Sequence, residues 1–158
     1  YTIVGHGSEI DINNINKAIV SSGMEKHVSY LGTIRHPEII KYLNSHNVGI
    51  SYIPIKKYFD NQPPTKTFEY LLSGMAVLAT NTKENKKVMT DQCGVVVGDS
   101  VNDVYSGLIQ IYHNRFLYNS ENIQKAALKY SWEAIVKKKL EPYIEQFYSK
   151  KIQNNRRT

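Results

Sequence analysis

The sequence has a single cysteine, five prolines and nine glycines in 158 residues. One thiol excludes a disulfide framework and a cysteine-rich zinc site, and it points to a reducing compartment, the cytoplasm by default. Sparse proline and glycine, with 41% hydrophobic and 22% charged residues, exclude a collagen-like, low-complexity or disordered chain. No apolar run reaches the roughly 18 residues of a membrane span, and no basic and apolar leader stands at the start. The length suits one ordinary domain with a sizeable core. Tyr1 falls inside a strand-like stretch with no initiator Met, so the chain reads as part of a longer protein.

Charge is scarce except at one end. Residues 129–158 hold eight basic side chains and three acidic ones, which is +5 of the formal +6. The rest is nearly neutral, with twelve basic residues against eleven acidic. No basic stripe interleaved with aromatics is present, which argues against nucleic acid as a partner. The segment reads as a solvated helix face followed by a basic, unstructured tail over 150–158. Its charge also permits peripheral contact with anionic lipid headgroups on the cytoplasmic membrane face.

What the chain does have is an alternation of strand-length apolar runs with stretches of helical period, the pattern of βα units around a parallel sheet. Tyr1-Thr2-Ile3-Val4-Gly5 reads as a short buried strand. Residues 11–22 follow as a helix with Ile12, Ile15, Ile19 and Val20 at helical spacing. Val28 to Leu31 is a second strand. Pro37 opens a helix whose buried stripe is Ile39, Ile40 and Leu43. Val48 to Ile53 is a third strand, stopped by Pro54 and followed by a polar and aromatic loop over 54–64. Loops of that kind at the carboxyl end of a strand are where such sheets keep their ligands. A helix from Thr65 to Ser73 ends at Gly74. Strands at Ala76 to Ala79 and Gly94 to Val97 flank a short helix at Glu84 to Met89. Ser100 and Asp103 have capping-box spacing ahead of a helix to about Asn114. Two more helices, about 120–129 and 131–149, close the chain. The second has Trp132, Ile135, Val136, Leu140, Ile144 and Phe147 as its apolar face.

Several constellations carry no chemistry. Gly5-His6-Gly7 begins like a dinucleotide fingerprint, but Ile10 occupies the third glycine position and no acidic residue closes a second strand, so NAD or FAD binding is not expected. The five histidines, His6, His27, His36, His46 and His113, lack a metal-like partner at i+3 or i+4. Cys93 reads as a small buried residue. Ser73-Gly74 is no nucleophile elbow.

One segment stands apart: Pro63-Pro64-Thr65-Lys66-Thr67-Phe68-Glu69-Tyr70-Leu71-Leu72-Ser73-Gly74, then Met75 to Thr80. A long loop delivers the chain to a helix N-terminus, whose free N–H groups and positive dipole end suit a diphosphate. Lys66 can neutralise phosphate charge from the first turn. Glu69, one turn in, can accept both hydroxyls of a ribose cis-diol. An amphipathic helix with a solvated Glu and Lys is the plain alternative.

This segment resembles the sugar-nucleotide-binding stretch in the C-terminal domain of retaining GT-B glycosyltransferases of the family-four type, a group with many polysaccharide-assembly enzymes. Ile3-Val4-Gly5-His6-Gly7-Ser8-Glu9, Val28 to Ile34, Val48 to Pro54, Cys93 to Val97 and Tyr130-Ser131-Trp132-Glu133 continue the resemblance in order, over about residues 1–148. It implies an α/β, Rossmann-like parallel sheet with helices on both faces over 1–149, the C-terminal half of a GT-B fold. It implies a hexosyltransferase that moves a sugar, with retention and without a metal or cofactor, from a nucleoside-diphosphate sugar, UDP type favoured, to a glycan or lipid-linked acceptor. Glu69 matches the ribose-binding second Glu of the family motif. Thr65 and Lys66 match positions whose amides approach the diphosphate, Thr33 and Ile34 the turn that flanks the base, and Gly7 a position near the same cleft. The first Glu of the motif, a sugar contact, falls on Asn61. A neutral amide still hydrogen-bonds sugar hydroxyls, and Asp60 is adjacent. The family's basic diphosphate clamp and its acceptor domain belong upstream of Tyr1, so these residues alone are not expected to catalyse. A sugar-nucleotide epimerase or hydrolase on the same fold, and a non-catalytic binding subunit, are the competing readings.

Overall fold

A computed structural model describes the backbone of residues 1–155 and the side chains of residues 1–148. It divides into two compact units, Tyr1–Ser45 and a second one from His46 onward.

In the first unit, β1 (Thr2–Ile3) leads to α1 (Glu9–Ser21), and β2 (Ser29–Tyr30) leads to α2 (His36–Ser45). The two strands run parallel, with Thr2 opposite Ser29 and Ile3 opposite Tyr30. A capping box starts α1: the Asp11 amide donates to Ser8 Oγ at 3.2 Å, and the Ser8 amide donates back to the Asp11 carboxylate at 3.1 Å. Three expectations need correction here. The first strand is two residues long and half-buried, with Tyr1 63% exposed. Val20 and Ile40 face solvent. Each lies one residue, about 100° of helix rotation, off the half-buried stripes Ile12-Ile15-Ile19 and Ile39-Leu43.

The second unit is built on a parallel sheet of order β3-β4-β5, from β3 (Val48–Ser51), β4 (Ala76–Thr80) and β5 (Gly94–Val97). The crossovers are α3 (Thr65–Leu72) and α4 (Lys83–Val88), with α5 (Val101–His113) and α6 (Ser120–Ala127) after β5. All five residues of β4 are buried, as expected for the central strand of a parallel sheet covered on both faces. Its side chains alternate between two cores. Val77 and Ala79 pack with Leu71 of α3, Met89, Cys93, and Ile123 and Ala127 of α6. Leu78 packs with Val95 and with Ile111 of α5. Helices thus cover both faces. Gly74, at φ +74°, terminates α3 in the left-handed region that its lack of Cβ permits. The expected capping box of α5 is present, with the Asp103 amide donating to Ser100 Oγ at 3.2 Å.

The C-terminal segment departs from a single helix. It comprises α7 (Trp132–Ile135), a π-helical turn over Val136–Leu140 and α8 (Glu141–Asn155). Lys137, Lys138 and Lys139 are exposed, as a solvated face requires. The expected apolar face is half-buried at Ile135 and Val136, whereas Trp132, Leu140, Ile144 and Phe147 are exposed. The tail expected to be unstructured from residue 150 is helical in its backbone to Asn155, and 156–158 lie outside the described residues. Among the described residues no helix is long and apolar enough to cross a membrane.

Candidate functional site

The site-forming part of the second unit lies at the carboxyl ends of β3 and β4, where open α/β sheets hold ligands. Chain leaving β3 forms a loop over 52–64 and then enters α3. That loop is itself hydrogen-bonded: the Lys56 carbonyl accepts the amides of Phe59 at 2.9 Å and Asp60 at 3.1 Å, and Gln62 donates to the Phe59 carbonyl at 3.0 Å.

A buried polar network fixes the first turn of α3. The Thr67 hydroxyl donates to Asn85 Oδ1 at 2.8 Å and lies 2.8 Å from Ser51 Oγ. Because the Asn85 oxygen can only accept, the Thr67 proton goes to it, and the Ser51 hydroxyl supplies the second bond. Asn85 Nδ2 donates to the Thr80 carbonyl at 2.9 Å. Ser51, Thr67, Thr80 and Asn85 are all fully buried, and no buried side-chain N or O lacks a partner among the described residues. Ser51 ends β3 and Thr80 ends β4, so this network pins α3 and α4 to the carboxyl edge of the sheet. Sequence reading missed it, because the four residues are ordinary polar types far apart in the chain. The available signal was a Ser or Thr closing each of two neighbouring strands.

Helix α3 has an open N-terminus. Side chains of Ser8, Thr82, Ser100, Asn119 and Ser131 cap α1, α4, α5, α6 and α7, whereas Pro64 before α3 offers no side-chain acceptor. Thr65 donates to the Pro63 carbonyl at 3.0 Å and Phe68 to the Pro64 carbonyl at 3.3 Å. Among the described residues the amides of Lys66 and Thr67 have no protein acceptor; the Thr65 amide, expected at the diphosphate, is taken by Pro63, and Thr67 is fully buried, which leaves the Lys66 amide open. Thr65 and Lys66 are exposed and Glu69 is half-buried. Spacings of three and four residues put Lys66 and Thr65 beside Glu69 on one face, while Thr67 and Leu71 are buried. Thr65, Lys66 and Glu69 are therefore brought together.

Asn61 is exposed on the loop before α3. Its neighbour Asp60 is committed elsewhere: Oδ1 accepts the Lys83 amide at 2.8 Å, and Oδ2 lies 3.3 Å from Lys83 Nζ. The backbone hydrogen bond from Lys83, aided by the positive charges of Lys83 and Lys86, holds this carboxyl below the usual range. Asp60 thus ties the loop to the start of α4 and does not stand in as a spare acid beside Asn61.

Gly7, Thr33 and Ile34 belong to the first unit. Gly7 is half-buried between β1 and α1; Thr33 is exposed and Ile34 half-buried between β2 and α2. The Gly5 amide donates to the Gly32 carbonyl at 2.9 Å and Tyr30 Oη donates to the Gly5 carbonyl at 3.0 Å, which joins the two turns. Elsewhere Cys93 is buried, with its thiol donating to the Thr90 carbonyl at 3.2 Å. Among the described residues no three His, Cys, Asp or Glu side chains are grouped to hold a metal ion.

No protein-family model matches the sequence, and no curated protein matches it. Solved structures do match the fold. Sucrose-phosphate synthase from Thermosynechococcus elongatus superposes with a TM-score of 0.71 at 17% identity, over 94% of this chain and 38% of that one. Anabaena HepE, solved in complex with UDP and glucose, gives 0.71 at 14% identity, over 94% and 40%. AviGT4, a glycosyltransferase involved in avilamycin A biosynthesis, gives 0.63 at 17% identity, over 93% and 42%. The chain spans about two fifths of the length of these structures. Its parallel sheets flanked by helices have the Rossmann-like fold of GT-B glycosyltransferases.

Proposed function

We propose that this chain is the donor-binding part of a retaining glycosyltransferase, which transfers a hexose from a nucleoside-diphosphate sugar to a glycan or lipid-linked acceptor. The observation that carries this reading is the uncapped first turn of α3 at the carboxyl edge of the sheet, with Lys66 and Glu69 on the same face. The open amide of the exposed Lys66, the positive end of the helix dipole and the Lys66 ammonium together suit a diphosphate. As the sugar–phosphate bond breaks, negative charge builds on the leaving diphosphate, and the same groups stabilise it without a metal. Glu69, held one turn further on, accepts hydrogen bonds from the two ribose hydroxyls and sets the orientation of the nucleotide. Asn61, through its amide, contacts the transferred sugar. For Thr33, Ile34 and Gly7 the support is the resemblance of their own turns to those that flank the base and line the donor cleft in the family. The UDP held by HepE supports a UDP-type donor. The basic residues of the C-terminal segment suit a cytoplasmic enzyme that touches an anionic membrane surface while it meets a lipid-linked acceptor.

Calorimetric titration of the chain with UDP, GDP and ADP, beside Glu69→Ala, tests this reading. The expected result is selective binding of one nucleotide, lost in Glu69→Ala. Equal binding by both proteins contradicts the role given to Glu69. One observation favours a second reading, a binding subunit without activity: Asn61 replaces the sugar-contacting acid, and Asp60 is occupied by Lys83. Activity of the full-length protein that falls on Asn61→Glu supports an enzyme adapted to the amide, and absence of any turnover supports the binding subunit.

A further inference from the structure

We propose that Asp99 is a positioning residue of the donor site, a latch that holds the loop between β3 and α3 in shape. This inference rests on the donor reading of α3 given above. Three contacts tie the start of that loop to the neighbouring strand ends. Tyr52 Oη donates to the Asp99 carbonyl at 3.0 Å. The Ile55 amide donates to Asp99 Oδ2 at 2.9 Å. Between them, the Ile53 amide donates to Thr80 Oγ1 at 2.9 Å while that hydroxyl donates to the Ile53 carbonyl at 2.7 Å. The far side of the loop is held at Asp60 by Lys83.

Asp99 is well placed for this role. It follows β5 by two residues and directly precedes Ser100, whose capping box fixes the start of α5. Rigid elements on both sides set its position. Its carboxylate accepts a backbone amide, a charge-assisted bond roughly twice as strong as a neutral one. Loop residues 53–55 and 60 are thereby anchored to β4, the β5–α5 turn and α4, and the loop delivers the chain to Thr65 and Lys66 as a pre-formed wall. Lys56, Lys57 and Tyr58, between the anchors, are exposed. Donor binding then meets a smaller loop-ordering cost.

The latch is tested with Asp99→Ala, which removes the acceptor, Asp99→Asn, which keeps an acceptor oxygen, and Tyr52→Phe, which removes one hydroxyl. Two readouts are taken on each: the rate of tryptic cleavage after Lys56 and Lys57, and the dissociation constant for UDP, GDP and ADP. Asp99→Ala should raise cleavage about tenfold, the scale of a lost hydrogen bond to a charged group, and weaken nucleotide binding severalfold. Asp99→Asn, with a neutral acceptor in place of the carboxylate, should fall between wild type and Asp99→Ala on both. Cleavage unchanged in Asp99→Ala, or faster cleavage with unchanged nucleotide affinity, overturns the proposal. Should Asp99→Ala fail to fold, Tyr52→Phe carries the same expectation at about threefold, and its failure to move cleavage overturns the latch. A wild-type chain that binds none of the three nucleotides overturns the donor reading instead, and the cleavage ratio alone then decides the latch.

Discussion

The Thr67 hydroxyl donates to Asn85 Oδ1 across 2.8 Å, joining the first turn of α3 to α4 where both side chains are fully buried. Buried polar pairs contribute modestly when complete and cost heavily when one partner is removed. Thr67→Val keeps the volume and leaves the Asn85 oxygen and the Ser51 hydroxyl short of a partner. It should lower stability by about 1–3 kcal/mol, read as a lower urea midpoint with an unchanged slope. A shift of only a few tenths of a kcal/mol would mean that the network does not hold α3 in place.

Asp60 links the same loop to α4, and its contribution depends on pH. Its folded-state pKa lies below the ordinary carboxyl value, first through the Lys83 backbone hydrogen bond. The stabilisation is therefore fully present above about pH 4, the unfolded carboxyl range, and is lost as pH falls through the lower folded value. Asp60→Asn should reduce stability at pH 7 and flatten the fall in stability below pH 4. Parallel acid limbs for the two proteins would show that Asp60 is not paired in solution.

Two glycines differ in how much their surroundings can give. A Cβ at Gly94 would collide with the backbone of Val77 in the adjacent strand, whereas one at Gly49 would meet the ring of Tyr70. The backbone of the buried central strand cannot yield, whereas the obstacle at Gly49 is a side chain that a substitution can remove. Gly49→Ala should cost about 1–3 kcal/mol as an overpacked site and recover in part with Tyr70→Ala, which removes the ring atoms that the new methyl meets. Gly94→Ala should be the more damaging of the two in thermal unfolding. The reverse order would contradict the β4–β5 register.

Trp132 is the single tryptophan and is 82% exposed. Tyr143, Phe147 and Tyr148 are exposed on the helix that follows. Exposed apolar clusters of this kind drive association. The dilute chain should show red-shifted, freely quenched emission, moving to the blue as concentration rises and the chain self-associates in sedimentation. A monodisperse monomer with unchanged emission at high concentration would contradict this.

The sequence made the centre of the fold legible and left its polar fastening hidden. Ala76 to Thr80 is a short uninterrupted apolar run closed by Thr and preceded by the Gly74 stop, the pattern of a strand covered on both faces. Gly74 and the Ser100–Asp103 box marked helix ends, because both act within a few residues of themselves. The Ser8–Asp11 box has the same spacing and acts as locally. Val20 and Ile40 are not separable from the buried stripes by sequence, because an apolar residue next to a stripe is indistinguishable from one in it until the packing is known. The bonds of Thr67 to Ser51 and Asn85, and of Asp99 to Ile55, span 16, 18 and 44 residues, beyond any periodicity. The π-helical turn at Val136–Leu140 lies in a lysine-rich run that favours ordinary helix. At the candidate site, Lys66 and Glu69 were legible from helix spacing, and the commitment of Asp60 to Lys83 was not.

The most direct test of the donor site is the backbone amide spectrum of the isotope-labelled chain during titration with UDP, GDP and ADP. The account predicts that one nucleotide moves the Lys66 amide resonance most, and that Glu69→Ala removes the effect. Shifts confined to other elements, or identical shifts in Glu69→Ala, would contradict a diphosphate site at the start of α3.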